Sequence, residues 1–173
     1  MTKPASLSSM IRELANILDG LIRRHEEMHA VIRAKLESMR LGDVDGMLAG
    51  ARRERDLTEA VSRLSEERIR VVTAAAKVLN LPVPPTAISV RMLAARLEPA
   101  ERGELLGRAH SLREWMVAVG EANRTVEYVC REMLMHFKTV FTSIVRGGDT
   151  PVTYQRDGDL NGYSGVQVLD ALG

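Results

Sequence analysis

Apolar residues recur every three or four positions through the second half of the 173-residue chain. The series is Leu105, Ala109, Leu112, Met116, Val119, Asn123, Val126, Cys130, Met133, Phe137, Val140 and Ile144. No proline interrupts it, and Asn123 is its only polar member. Such a 4-3 alternation is typical of the seam of a coiled-coil-like helix. It predicts one helix from about Pro99 to Val145, roughly 70 Å long at about 1.5 Å per residue.

A second series with the same spacing occupies the beginning of the chain. Its members are Leu7, Ile11, Leu14, Leu18, Leu21, His25, Met28, Ile32, Lys35 and Met39. Leu36, next to Lys35, is expected to occupy the seam at that level. The series predicts a helix from the serines at 6–9 to about Arg40. Gly42 can end that helix and Asp43 can cap the next one. Because the link is so short, the second helix must fold back antiparallel to the first.

The second helix begins weakly, because glycines recur at positions 42, 46 and 50 and each glycine inside a helix costs up to about 1 kcal/mol relative to alanine. The same spacing would let two helix backbones approach closely. A firmer apolar pattern runs from Leu57 to Val78, and the prolines after Asn80 end the helix. A short third helix is predicted from Ser89 to Leu97, before the long last helix.

These patterns predict an all-α fold, an elongated antiparallel bundle of three long helices plus one short helix in residues 1–146. Helices of about 37 residues span about 55 Å, roughly 15 Å less than the last helix. Part of the apolar series on the last helix should therefore be left uncovered by the rest of the chain. Residues 147–173 are predicted to form a flexible tail, since they are rich in glycine and carry four aspartates against one arginine.

Composition excludes several classes of protein. Aromatic residues make up only 3% of the chain, so the core must be built from aliphatic side chains and methionines, which suits helix-on-helix packing. No segment approaches the run of about 20 apolar residues that spans a bilayer, and the first residues lack the apolar block of a signal peptide. We therefore expect a cytoplasmic protein. The net charge of +1 gives no reason to expect nucleic acid as a partner, and the single cysteine, Cys130, is expected to be a small buried hydrophobe.

His25-Glu26-Glu27-Met28-His29 matches the H-E-x-x-H pattern of zinc metalloproteases. Histidines four residues apart share one helix face, and the glutamate can activate a metal-bound water. A third ligand is missing, however, because His110 and His136 belong to another long helix without a supporting motif. His25 also occupies a position in the apolar series of the first helix. No enzyme, metal site or cofactor is therefore predicted.

Two features of the last helix allow more than one interpretation. A buried asparagine in a helical seam, here Asn123, can fix the register within the bundle or contact another protein. Methionines and phenylalanines give the helix a flexible apolar surface, which either fills the core or accepts helical partners of different shape. Both features are typical of a binding or scaffolding protein.

The chain resembles the FlgN-type flagellar export chaperones over nearly its whole length. The likeness includes an amphipathic first helix rich in Leu and Glu, the Gly42-Asp43 link, and a charged second helix before a short connector. The segment Glu121-Ala122-Asn123-Arg124 is similar to the family's asparagine-containing segment, although Gly120 stands where members often have a second asparagine. In the tail, Thr153-Tyr154-Gln155-Arg156-Asp157-Gly158 is similar to the family's Thr-Tyr-x-x-x-Gly segment.

The resemblance implies a cytoplasmic chaperone that binds hook-filament junction proteins and delivers them to the flagellar type III export gate. An amphipathic C-terminal helix of the client would lie along the last helix of the chaperone. The residues predicted to bind it are Asn123, Val126, Cys130, Met133, Phe137, Val140, Phe141 and Ile144. Tyr154 is implied as a contact with the export gate. The alternative is a self-associating structural coiled-coil protein whose apolar series is buried between copies of the chain.

Overall fold

A computed structural model of the protein describes residues 6–81 and 88–147. Four helices occupy nearly all of them: α1 (Leu7–Leu41), α2 (Val44–Val78), α3 (Val90–Ala94) and α4 (Pro99–Gly147). The prediction of an all-α fold with three long helices and one short helix is confirmed. Within the two described ranges, no helix combines the length and the apolar character needed to cross a membrane.

The turn between α1 and α2 is set by side chains and backbone angles that the local sequence supplies. Gly42 ends α1 in the left-handed conformation, with φ at 69°, which residues with a Cβ rarely adopt. The amide of Asp43 donates a hydrogen bond back to the Ser38 carbonyl at 2.8 Å. The Asp43 carboxylate then accepts a hydrogen bond from the Gly46 amide at 3.0 Å and begins α2. These caps explain why the predicted ends of α1 and α2 lie close to the observed ones.

An ion pair lies in the seam between α1 and α2. Lys35 occupies a position in the apolar series of α1, and its ammonium group lies 2.6 Å from the carboxylate of Glu54 on α2. Both side chains are largely shielded from solvent, so the pair replaces an apolar contact at this level of the hairpin. A Cβ on Gly50 would lie 3.1 Å from the Lys35 Cβ. Gly50 therefore allows the Lys35 side chain, not the α1 backbone, to approach α2 closely.

Backbone groups at the ends of α3 are capped on both sides. The Ser89 hydroxyl accepts a hydrogen bond from the Met92 amide at 3.2 Å, so α3 begins one residue later than predicted and is shorter. At its other end, the Arg102 guanidinium of α4 donates to the carbonyls of Ala94 at 3.2 Å and Leu97 at 3.1 Å. The Ala94 carbonyl also accepts a hydrogen bond from the Leu97 amide at 3.1 Å, so the arginine is a second donor to this carbonyl.

The chain divides into two compact units, Met1–Val126 and Glu127–Gly173, with the division inside α4. The core of the first unit is aliphatic and is contributed by all four helices. Its most deeply buried large side chains are Leu14, Leu18, Ile32, Leu57, Leu93 and Leu105. Burying each of these side chains contributes about 1.5–3 kcal/mol relative to leaving it exposed.

Within the first unit, α4 runs parallel to α1 and packs beside it. Arg108 of α4 forms an ion pair with Asp19 of α1, with 3.1 Å between Nε and Oδ1. Roughly three turns further along α1, the ring of His29 lies 5.7 Å from that of Trp115, measured between centroids. The hydrogen bond that Arg108 donates to the Asp19 carboxylate raises the pKa of the guanidinium above its ordinary value, because it stabilises the charged form.

The predicted tail, residues 147–173, lies outside the described residues except for Gly147, where α4 ends. Its flexibility, and the limits of the predicted domain at residues 1–146, therefore stay predictions. Tyr154 lies outside the described residues as well.

Candidate protein-binding site

In the first unit, the covered face of α4 is rotated away from part of the predicted series. The covered positions are Leu105, Leu112, Trp115, Val119, Ala122 and Val126. Two predicted members, Met116 and Asn123, are exposed instead. Leu105, Leu112, Val119 and Val126 are covered at seven-residue intervals, as predicted. The positions covered between them are Trp115 and Ala122, one residue before the predicted Met116 and Asn123.

The prediction that Asn123 is buried in a helical seam is wrong. Its side chain is exposed, and Ala122 occupies the half-buried position next to it. Asn123 therefore does not fix the register inside the first unit. Val126, also predicted to contact a client, is only 8% exposed and offers little surface to a partner.

The two histidines of the H-E-x-x-H match make contacts inside the bundle. The Nδ1 of His25 donates a hydrogen bond to the Leu21 carbonyl at 2.8 Å, and the ring of His29 faces Trp115. Across the part of the chain that the structure describes, no three His, Cys, Asp or Glu side chains come together as a metal site. His25 thus contacts its own helix, and His29 contacts α4.

From Glu127 onward, none of the described α4 side chains is buried, yet apolar residues continue along one side of the helix. We call this surface the terminal apolar face. It consists of Val129, Cys130, Met133, Leu134, Phe137, Val140, Phe141, Ile144 and Val145. At about 100° per residue, these positions cover an arc of about 160° around the helix.

The beginning of the terminal apolar face is less exposed than the rest of it. Its first members, Val129, Cys130 and Met133, are half-buried, so the expectation that Cys130 is fully buried is not met. Further on, the exposed fractions are 70% for Leu134, 60% for Phe137, 66% for Phe141 and 67% for Ile144. Contiguous apolar side chains left in water are typical of interaction surfaces, because covering them releases free energy.

Sequence reasoning traced a single row of this surface and missed three of its members, Val129, Leu134 and Val145. Leu134 lies three residues before Phe137 and seven before Phe141, in a second row parallel to the first. Counting apolar positions over a wide arc, as for a helix packed on a core, would have found it. An arc this wide exceeds the narrow seam of a two-stranded coiled coil.

The two polar borders of the terminal apolar face carry different charges. One border holds Glu127, Arg131 and Lys138, with the two basic residues two helical turns apart. Arg131 forms an ion pair with Glu127 at 2.8 Å, whereas the ion pairs of the described residues include none with Lys138. The other border holds His136 and Glu132. No acidic residue occurs from 133 to 147, and the face is therefore bordered on one side by positive charge.

Comparison with family models gives one informative match. The model described as FlgN protein matches residues 10–162, which include α2, α3, α4 and nearly all of α1. Comparison with curated proteins and with solved structures gave no match.

Proposed function

Because this chain belongs to the FlgN family of flagellar export chaperones, we propose that it binds hook-filament junction proteins in the cytoplasm and delivers them to the flagellar export gate. The family is one of chaperones, not enzymes, and its members bind flagellar proteins. The proposal concerns which flagellar proteins are bound, by which surface, and where they are taken after binding.

The exposure of the terminal apolar face is the observation that carries the proposal. Large apolar side chains such as Phe137, Phe141 and Ile144 are each more than half exposed in the free chain. Burying one such side chain against a partner contributes about 1.5–3 kcal/mol. Burying the terminal apolar face against a partner would therefore favour association. The apolar side chains on the covered face of the preceding part of α4 are already buried or half-buried inside the first unit.

We infer that the ligand is an amphipathic helix near the C-terminus of the client. Helix recognition uses anchors at spacings of three, four and seven residues, which the positions 130, 133, 137, 140, 141 and 144 provide. Half-buried Cys130 and Met133 offer adaptable contacts at one end, and the two phenylalanines offer large rigid anchors at the other. While its helix is held here, the client cannot use that helix for assembly.

Phe137→Asp tests this site, with Met135→Asp as the matched control. Both side chains are exposed in the same turns of α4, but Met135 lies on the opposite side from the terminal apolar face. Burying a charge at an anchor should weaken binding of a client C-terminal peptide at least about 30-fold, since interface anchors contribute about 2 kcal/mol or more. Titration calorimetry measures the affinity, and circular dichroism checks that both variants remain helical. Equal affinities for the two variants would exclude this site.

A second copy of the chain is the other candidate occupant, which corresponds to a structural coiled-coil protein. The 3-4-3 spacing from Cys130 to Val140 is self-complementary in an antiparallel pair, with Cys130 opposite Val140 and Met133 opposite Phe137. Sedimentation separates the two functions. A monomer that forms a one-to-one complex with a client supports the chaperone, and a stable dimer that ignores client peptides supports the scaffold.

A further inference from the structure

The polar borders of the terminal apolar face indicate the charge of its ligand. Lys138 stands four residues after Leu134 and three before Phe141, so it lies one helical turn from each of these exposed side chains. Arg131 stands three residues before Leu134 on the same border. A helix that covers the apolar side chains would run beside both basic groups.

Both basic groups are available to a ligand. The ion pair of Arg131 with Glu127 joins two side chains that are 66% and 69% exposed, and such pairs contribute little and exchange partners readily. Lys138 forms none of the ion pairs found among residues 6–81 and 88–147. On the opposite border, Glu132 would repel an acidic group. The charge pattern is therefore asymmetric across the face.

Building on the proposed function, we propose that the terminal apolar face selects an amphipathic helix with acidic residues along one border of its apolar stripe. Two carboxylates seven residues apart would face Arg131 and Lys138, which are separated by the same two turns. The other border of the ligand would be neutral or basic, beside Glu132. Charge thus fixes which way the ligand helix is rotated, and the apolar side chains supply most of the affinity.

The acidic tail of this chain is a rival ligand. Its aspartates are Asp149, Asp157, Asp159 and Asp170, and no two of them are seven residues apart. A helix formed by the tail would therefore not place carboxylates opposite both basic groups, as a separate helix with carboxylates seven residues apart would. Removing residues 148–173 distinguishes these two occupants.

Lys138→Glu tests the proposal, with His136→Glu as the control. Both substitutions add a carboxylate next to Phe137, one on each border of the terminal apolar face. The probes are two synthetic amphipathic helical peptides with the same apolar stripe, one carrying glutamates and the other lysines along one border. In low salt, Lys138→Glu should weaken binding of the glutamate peptide about three- to tenfold and strengthen binding of the lysine peptide. His136→Glu should change neither affinity more than about twofold.

The salt dependence provides a second measurement. At about 1 M salt the Debye length falls to about 3 Å, so the difference between Lys138→Glu and the parent chain should nearly disappear. Equal effects of Lys138→Glu and His136→Glu would overturn the proposal. A different result would show that the tail occupies the border with Arg131 and Lys138. In that case Lys138→Glu strengthens binding of the glutamate peptide in the full chain but not after removal of residues 148–173. This result would also overturn the proposal.

The outcomes also separate this inference from the proposed function. If Phe137→Asp abolishes binding of both peptides while Lys138→Glu leaves both affinities unchanged, the docking site is supported and the selection of an acidic border is wrong. If Phe137→Asp leaves both affinities unchanged, the docking site itself is wrong.

Discussion

Gly50 and Gly107 both lie inside helices, but only Gly50 has a neighbour that would meet an added methyl group. At Gly107 nothing lies within 4 Å of the ideal Cβ position, whereas at Gly50 the Lys35 Cβ lies at 3.1 Å. Gly107→Ala should therefore raise the free energy of unfolding by about 0.5–1 kcal/mol through helix propensity alone. Gly50→Ala should gain less or nothing, because Lys35 must shift. Urea unfolding of the two variants measures the difference, and an equal gain would show that the contact with Lys35 is unimportant.

Lys35 also shows why the burial of a single residue cannot always be predicted from the local sequence. The 3.5-residue spacing placed it in the seam, and the adjacent Leu36 was expected to take its place there. In the structure both side chains are half-buried, and Lys35 stays in the seam because Glu54, nineteen residues away on α2, neutralises it. A partner so distant in the sequence leaves no trace in a local pattern. Asn123 is the converse case, since a polar residue at a seam position is exposed.

Helix α4 combines a segment packed in the core and a segment with exposed apolar side chains in one continuous element. Leu112 is buried in the core of the first unit, whereas Phe137 is 60% exposed. Leu112→Ala should lower the free energy of unfolding by about 2–5 kcal/mol, because it removes core contacts and leaves a cavity. Phe137→Ala should change it by no more than about 0.5 kcal/mol, as for surface positions generally. Denaturant unfolding followed by circular dichroism measures both. A large loss for Phe137→Ala would mean that the face is covered within the chain.

At the scale of elements, the sequence predicted most of the helix limits and less of the packing. Gly42 and Asp43 end and begin helices through local backbone chemistry, so a few neighbouring residues determine the turn. The face that α4 presents depends on the helices packed beside it, which cover Trp115 and Ala122 and leave the adjacent Met116 and Asn123 exposed. Such packing is a tertiary property, and for this reason the series was right at Leu105, Leu112 and Val126 but wrong at Met116 and Asn123.

For the whole molecule, helical patterns alone determine architecture and not activity. Many proteins pack long amphipathic helices, and the fold does not specify what they bind. The function of this chain therefore rests on its membership of the FlgN family, while the exposed side chains of α4 indicate where a partner would bind. The family match does not identify contact residues, and the exposed side chains do not identify the partner.

Removal of residues 148–173 tests how binding and delivery are divided in the molecule. The terminal apolar face ends at Val145, so the shortened chain should bind a client peptide with an affinity within about twofold of the full chain, as expected for a change outside the contact surface. Export of hook-filament junction proteins, and hence motility in soft agar, should fall if the tail contacts the export gate. Tyr154→Ala should reproduce the export defect, and Tyr163→Ala, in the same tail, should not. Normal export by both the shortened chain and Tyr154→Ala would assign delivery to the helical part of the protein, since no tail contact would then be needed.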